Sequence, residues 1–417
     1  MDFQDTPEEA RFRQEARAWL EANAKRREAA AGLALFEEAG DTPELVKAAK
    51  AWQAKKADAG WAGITWPKEY GGRGGSAIEQ VIWSQEESQF ETPPNIFGIG
   101  IGMGGPTIIS HGNEEQKKRY LPPMLRGDEI WCQLFSEPGA GSDLAGLRTR
   151  AVQEGDKWIV NGQKVWTSGA HYSQWGILVT RHDPNMDKHK GLTYFLVDMK
   201  TPGIEIRPIK QMTGGANFNE VFFKDVVIPD ANRLGAVGEG WAVAITTLMN
   251  ERMTIAGGMG MGGNAINEAL VALAKEARID GKSALEHADI RLRLADLLAR
   301  NKAIEFVGYR LLTALSKGAM PGPEGSIAKL ALGILLQEMG AFCMELQGLT
   351  GLVFGGEASV ANALWQKIYL GSPAIRIAGG ADEVQRNIIG ERILGLPTEI
   401  RVDKGIPFSQ IPTAPKA

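Results

Sequence analysis

Cysteine is almost missing from this chain: Cys132 and Cys343 are the only two in 417 residues. That excludes a disulfide scaffold and a Cys-rich metal site, and makes a reducing compartment the default. Net charge is nearly missing too. The 46 Lys and Arg against 50 Asp and Glu leave −4, which excludes a protein that coats nucleic acid by bulk charge. No apolar run reaches ~18 uninterrupted residues, so no membrane span is expected. The opening Met1-Asp2-Phe3-Gln4-Asp5 is acidic and lacks the basic start and apolar run of a secretory signal, so a cytoplasmic location is expected. The 5 histidines show no ligand pairing at helical spacing, and no metal site is expected. No Gly-x-Gly-x-x-Gly opens a βαβ unit, there is no P-loop and no His-Glu-x-x-His, and no Gly-x-Ser-x-Gly sits at a strand-to-helix elbow.

Apolar residues make up 44% of the chain, enough for a large core, and the length suggests two or three domains at ~150 residues each. Glycine, at 51 residues, exceeds its usual ~7% share and points to tight turns and close backbone approaches. Thr6-Pro7-Glu8-Glu9 is a helix start, with a hydroxyl cap, an early proline and a capping-box Glu. Phe12, Ala16, Trp19 and Leu20 follow at helical spacing. Further helices are expected over 43–59 and 76–90. Strand signals then take over. Trp158 to Trp166 reads as a hairpin turning at Asn161-Gly162, followed by strands over 175–180, 192–197, 204–209 and 220–228. Helical periodicity returns from Glu239 and runs through segments around 264–279, 284–316, 324–347 and 358–370, which suggests a bundle. The Pro412 to Ala417 tail is expected to fray. The chain thus divides into a helical domain (1–121), an antiparallel, barrel-like β-domain (122–234) and a helical bundle with a tail (235–417).

Five segments could carry chemistry. Phe135-Ser136-Glu137-Pro138-Gly139-Ala140-Gly141-Ser142-Asp143 exposes backbone amides and hydroxyls that can approach a flat ring or a phosphate; read alone, it is more often a plain turn. Lys164-Val165-Trp166-Thr167-Ser168 places an indole beside hydroxyls, fit to stack on an aromatic ligand or simply to fill a core. Trp241, Ile245, Leu248 and Met249 form an apolar stripe at helical spacing. Glu251 lies about 80° from Trp241, on the shoulder of that stripe, and Arg252 about 20° away, near its centre. Charges there need a partner or a chemical role. Three roles fit: an internal ion pair, a subunit contact, or a general base with a cation beside it. Gln347-Gly348-Leu349-Thr350-Gly351 reads locally as a helix cap. Ile377-Ala378-Gly379-Gly380-Ala381-Asp382-Glu383-Val384-Gln385-Arg386 feeds glycines into a helix capped by Asp382.

In this order and setting, the five segments resemble the acyl-CoA dehydrogenase family over nearly the whole chain. The resemblance implies a mainly α fold with a central β-domain: an N-terminal helical domain, a middle β-barrel-like domain and a C-terminal four-helix bundle, with extended FAD between the last two. It implies oxidation of an acyl-CoA thioester to the trans-2-enoyl-CoA, as in β-oxidation, with electrons passing to electron-transfer flavoprotein or a similar acceptor. Carried over residue by residue, it puts Gln133, Phe135, Ser136, Trp166 and Ser168 against the flavin. Arg278, Gln347, Gly351, Gly380 and Glu383 reach the cofactor, Arg278, Gln347 and Gly351 across subunits. Such sharing implies a homodimer or homotetramer. Ser142, Arg252 and Gly379 fall on the substrate side.

Many members carry the catalytic carboxylate where this chain has Gly379. A second subset carries it on a bundle helix, in a Glu-Arg pair followed by apolar residues and Gly-Gly. Glu251-Arg252-Met253-Thr254-Ile255-Ala256-Gly257-Gly258 resembles that arrangement, so Glu251 is the expected base. The altered glycine loop is also consistent with a non-catalytic or half-site subunit of a heteromer, and an oxidase or monooxygenase on the same scaffold is a third reading. Fatty, branched, aromatic and steroid-derived acyl chains all satisfy these residues.

Overall fold

The computed structural model describes residues 5–27, 42–258, 263–317, 322–355, 359–401 and 403–411. The expected frayed tail from Pro412 lies outside them. The chain opens with α1 (Pro7–Asn23), β1 (Lys25–Arg26), α2 (Pro43–Asp58), α3 (Ala77–Glu87) and β2 (Phe90–Glu91). Then come α4 (Gly105–His111), α5 (Glu114–Arg126), β3 (Trp131–Leu134), β4 (Arg150–Glu154) and β5 (Lys157–Lys164). The strands continue as β6 (Trp175–Arg181), β7 (Leu192–Asp198), β8 (Ile204–Ile209), β9 (Phe218–Pro229) and β10 (Arg233–Leu234). Helices resume with α6 (Gly240–Gly258) and α7 (Gly263–Glu276), and a short hairpin follows, β11 (Arg278–Ile279) and β12 (Lys282–Ser283). The last four are α8 (Ala288–Ser316), α9 (Gly325–Gln347), α10 (Leu364–Ile375) and α11 (Asp382–Ile388). The fold is mainly helical around a central β-domain.

Two compact units emerge. One holds α1, α3 and α7 to α11. The other holds α2, α4, α5, β3 to β10, α6 as far as Thr254, and the chain from Thr398 onward.

In the first unit, the capping box closes as the sequence predicts: Thr6 Oγ1 accepts from the Glu9 amide at 3.2 Å, and Glu9 accepts from the Thr6 amide at 2.7 Å. Phe12, Ala16 and Leu20 are buried, one face of α1 turned to α3. Glu86 of α3 is fully buried there, held by Arg13 at 3.2 Å and Arg17 at 2.8 Å. The helical core is built by Leu270, Leu294, Leu335, Met339, Phe342 and Trp365 from α7 to α10. The stretch from Gly325 to Leu352 is long and apolar enough to cross a membrane by length and composition alone, and half of it is buried inside the protein. Lys329, Gln337 and Glu338 interrupt it, which is why it is not an uninterrupted run in the sequence.

In the second unit, eight strands form one sheet, ordered β10-β7-β6-β4-β5-β9-β8 with β3 beside β6. The pairings are antiparallel except β3 with β6 and β4 with β6, which run parallel. The four strands expected after residue 170 are present, β8 with identical ends. The hairpin is displaced. Its turn is Gly155-Asp156, flanked by the Glu154–Lys157 pair, and Asn161-Gly162 sits inside the single strand β5 as a bulge against β9. Two contacts make it so. Asn161 exchanges bonds with Asp225, and the Gly162 backbone passes so close to Thr149 that a Cβ would lie 2.5 Å from Oγ1 and 2.7 Å from Cα. The sequence signal was glycine's permissiveness; the reason for it is close approach, not a turn. Gly162→Ala therefore destabilises by about 2 kcal/mol through forced overpacking. Differential scanning calorimetry checks it; an unchanged melting temperature contradicts the bulge.

Candidate functional site

The chain leaves β3 at Leu134 and enters Phe135, which is buried, and Ser136, which is half-buried like Gln133. Glu137 and Ala140 exchange both backbone bonds at 3.0 Å, so Pro138-Gly139 is a tight, exposed tip. The turn reading of that segment is correct, but Glu137 does more than shape the turn. Its carboxylate accepts from the Arg148 amide at 2.6 Å, the Thr149 amide at 2.8 Å and the Lys164 ammonium at 2.9 Å. Lys164 also donates to the Phe135 carbonyl at 2.9 Å and is wholly buried. Burial alone would raise the Glu137 carboxyl; Lys164 and the amide donors offset this and hold it below the usual carboxylate range. Burial pushes the Lys164 ammonium down against the pull of Glu137.

That ion pair joins two of the segments singled out in the sequence. The Val165 amide donates to the Ser136 carbonyl at 2.9 Å, so the residues after β3 and those after β5 are tied side by side. Trp166 then adopts a left-handed φ of 60° and is 58% exposed, its indole edge-on to Phe218. A bulky residue in that region is strained and needs support. The support is the pair of backbone bonds between Thr167 and Asn219, at 3.0 and 3.1 Å. Next to it the Thr167 hydroxyl is buried with no hydrogen-bond partner among the described residues. Ser168 is half-buried. An exposed ring surface beside an unmatched buried hydroxyl suits a ligand with an aromatic face and a polar edge. Ser142 is exposed, three residues beyond the tip.

Glu251 lies on α6. The buried face of that helix is Gly240, Val243, Ala244 and Thr247, not the stripe of Trp241, Ile245, Leu248 and Met249. Trp241 and Leu248 only flank the core, and Met249 is 54% exposed. The small residues lead because they let α6 lie close to β7 and α4. Thr247 accepts or donates at 3.0 Å to both Tyr194 and Thr107, deep in the core. Glu251, four residues on and about 40° from Thr247, falls on the buried face rather than its shoulder, and is half-buried. The side chain of Arg252 lies outside the described residues.

The remaining candidates belong to the helical unit. Arg278 is exposed and folds back to donate to the carbonyls of Lys275, Glu276 and Ala277, closing the end of α7. Gln347 is buried, donates to the Cys343 carbonyl and accepts from Gln366 at 3.3 Å, with Gly351 packed against it. Gly379 and Gly380 have φ of 64° and 95°, conformations that favour glycine. Their carbonyls accept from Gln385, and Lys329 also donates to Gly380. The capping residue of α11 is Ala381, not Asp382: the Asp382 carboxylate turns inward to pair with Arg376. Glu383 is exposed.

Three family profiles match in chain order: "Acyl-CoA dehydrogenase, N-terminal domain" over residues 6–128, "middle domain" over 132–226 and "C-terminal domain" over 238–394. The acyl-CoA dehydrogenase IpdE1 of Mycobacterium tuberculosis is 37% identical over 398 residues, 94% of this chain and 98% of that one. The chain belongs to the acyl-CoA dehydrogenase family. With that it stands among the oxidoreductases, in a family of flavoproteins of lipid metabolism. The acyl-CoA dehydrogenase FadE34 of the same organism is 40% identical over 376 residues, 88% of this chain but 50% of its own length. A solved structure titled "Tcur3481-Tcur3483 steroid ACAD" superposes with a TM-score of 0.81 at 27% identity, covering 96% of this chain and all of that one.

Among the residues that shape this chain's candidate site, sequence reasoning missed Glu137 and Lys164 as a pair. One signal was legible. Trp158, Val160 and Lys164 share the inward face of β5, and a charge among inward residues needs a buried counter-charge.

Proposed function

We propose that this chain is an FAD-dependent acyl-CoA dehydrogenase that converts an acyl-CoA thioester to the trans-2-enoyl-CoA, with Glu251 as the base. The observation that carries the reading is the position of Glu251: a half-buried carboxylate on the close-packed face of α6. Gly379 can supply no carboxylate, so the base comes from elsewhere. Glu251 takes the α-proton onto a carboxylate oxygen as the Cα–Cβ double bond forms. The chemistry that bound FAD would supply is acceptance of the β-hydrogen as hydride. Trp166, with Gln133, Phe135, Ser136 and Ser168, offers the ring surface, and the unmatched Thr167 hydroxyl offers a polar contact beside it. The family resemblance assigns Arg278, Gln347, Gly351, Gly380 and Glu383 to the cofactor as well. The family resemblance assigns Ser142, Arg252 and the backbone at Gly379 to the substrate side. A main-chain amide there polarises the carbonyl whatever the side chain. The division at 121/122 and 234/235 into three domains belongs to the same reading, as does electron-transfer flavoprotein as acceptor.

A second reading is favoured by one observation: the steroid structure is titled as a pair of gene products. This chain would then work beside a related, different chain, and a steroid-derived acyl-CoA belongs in the substrate panel. Anaerobic addition of fatty, branched, aromatic and steroid-derived acyl-CoAs to the purified chain tests both. Bleaching of a yellow protein, with a product two hydrogens lighter, is expected from at least one. A stably yellow or colourless chain that no acyl-CoA bleaches until a related chain is added makes it half of a heteromer. Rapid peroxide formation in air makes it an oxidase.

A further inference from the structure

The final described residues, 403–411, do not join the bundle helices; they pack on the β6–β7 connection of the sheet unit. The Phe408 amide donates to the Met186 carbonyl at 2.9 Å and the Ser409 amide to Pro184 at 2.8 Å. The Phe408 ring is 7% exposed and lies 3.5 Å from the Arg181 guanidinium. Arg181 is 3% exposed and ends in carbonyls: Leu147 at 3.0 Å, Ala145, and Lys188 at 3.2 Å. Burial pulls that guanidinium down to about 10. Lys188 is buried as well, its ammonium bridging Asp143 at 2.7 Å and Asp403 at 2.8 Å.

Three segments distant in the chain therefore meet at one node. Asp143 to Leu147 follow Ser142 directly, Lys188 belongs to the β6–β7 connection, and Asp403 and Phe408 belong to the C-terminal segment. A cation desolvated this far depends on a full set of acceptors and on a lid against water. Arg181 has the carbonyls of the Ser142 loop for the first and the Phe408 ring for the second. Lys188 adds a charge-assisted bond to each side. Releasing the C-terminal segment wets Arg181 and removes half of the Lys188 bridge, so the Ser142 loop loses its anchor.

We propose that Lys188 and Phe408 are positioning residues for substrate: through the C-terminal segment they hold the 139–147 loop where Ser142 meets the acyl-CoA. This rests on the reading of Ser142 as a substrate-side residue. The test uses the full chain with Phe408→Ala and, as a milder change, Asp403→Asn. Hydrogen exchange without substrate is expected to speed up at least tenfold in 139–147 together with 403–411. The KM for the bleaching acyl-CoA is expected to rise about tenfold with the limiting reduction rate within about twofold, and Asp403→Glu is expected to restore it. Unchanged exchange in 139–147 while 403–411 is released overturns the proposal, as does a fall in limiting rate at constant KM. Glu251→Gln separates the two readings: it leaves exchange in 139–147 untouched, so its failure sinks the base assignment alone.

Discussion

Glu251→Gln is expected to keep bound flavin and to slow its anaerobic bleaching by acyl-CoA about a thousandfold. The amide has the shape of the carboxylate and keeps the packing of α6, whose buried contacts are Val243, Ala244 and Thr247. It cannot take a proton, so only the chemistry is lost. Stopped-flow absorbance at saturating acyl-CoA gives the rate without a KM contribution. Comparable bleaching in the variant would remove Glu251 as base, and with it the main support for catalysis by this chain alone.

The second large effect is expected at the buried pair. Lys164→Ala leaves the Glu137 carboxylate inside the protein with only the Arg148 and Thr149 amides. Breaking one side of a buried pair costs about 3–5 kcal/mol. Calorimetry should show a melting temperature lower by several degrees. Flavin content should fall as well, because the pair clamps Phe135 and Ser136 to the strand that leads to Trp166. The double variant Glu137→Gln, Lys164→Met leaves no charge behind and recovers much of the stability. If the single variant melts like the parent, the clamp is not a clamp.

The pair also fixes an acid dependence. Glu137 titrates below its ordinary 4.5 in the folded protein. Its contribution is therefore complete above that value and is lost as pH falls through the lower folded one. The stability gap between the parent and Glu137→Gln should be widest at neutral pH and should shrink on acidification below about 4.5. Urea midpoints measured from pH 7 to pH 3 read this directly.

What the sequence determined by itself was whatever rests on local spacing. Thr6 and Glu9 form their capping box because both partners lie within one turn. The strand Ile204–Ile209 keeps its ends because turn residues bound it. The helix, strand, helix order follows from period alone, and the five segments in sequence were enough to name the family. Tertiary structure decided whatever depends on a neighbour remote in the chain. Asn161-Gly162 is a bulge and not a turn because Thr149 and Asp225 crowd it. The face of α6 is set by small residues that β7 and α4 approach, so the largest apolar side chains are not its centre. Glu137 meets Lys164, and Asp403 meets Lys188, across 27 and 215 positions. A periodic pattern records which residues share a face; it does not record what is pressed against that face, and burial of a charge is decided by the second.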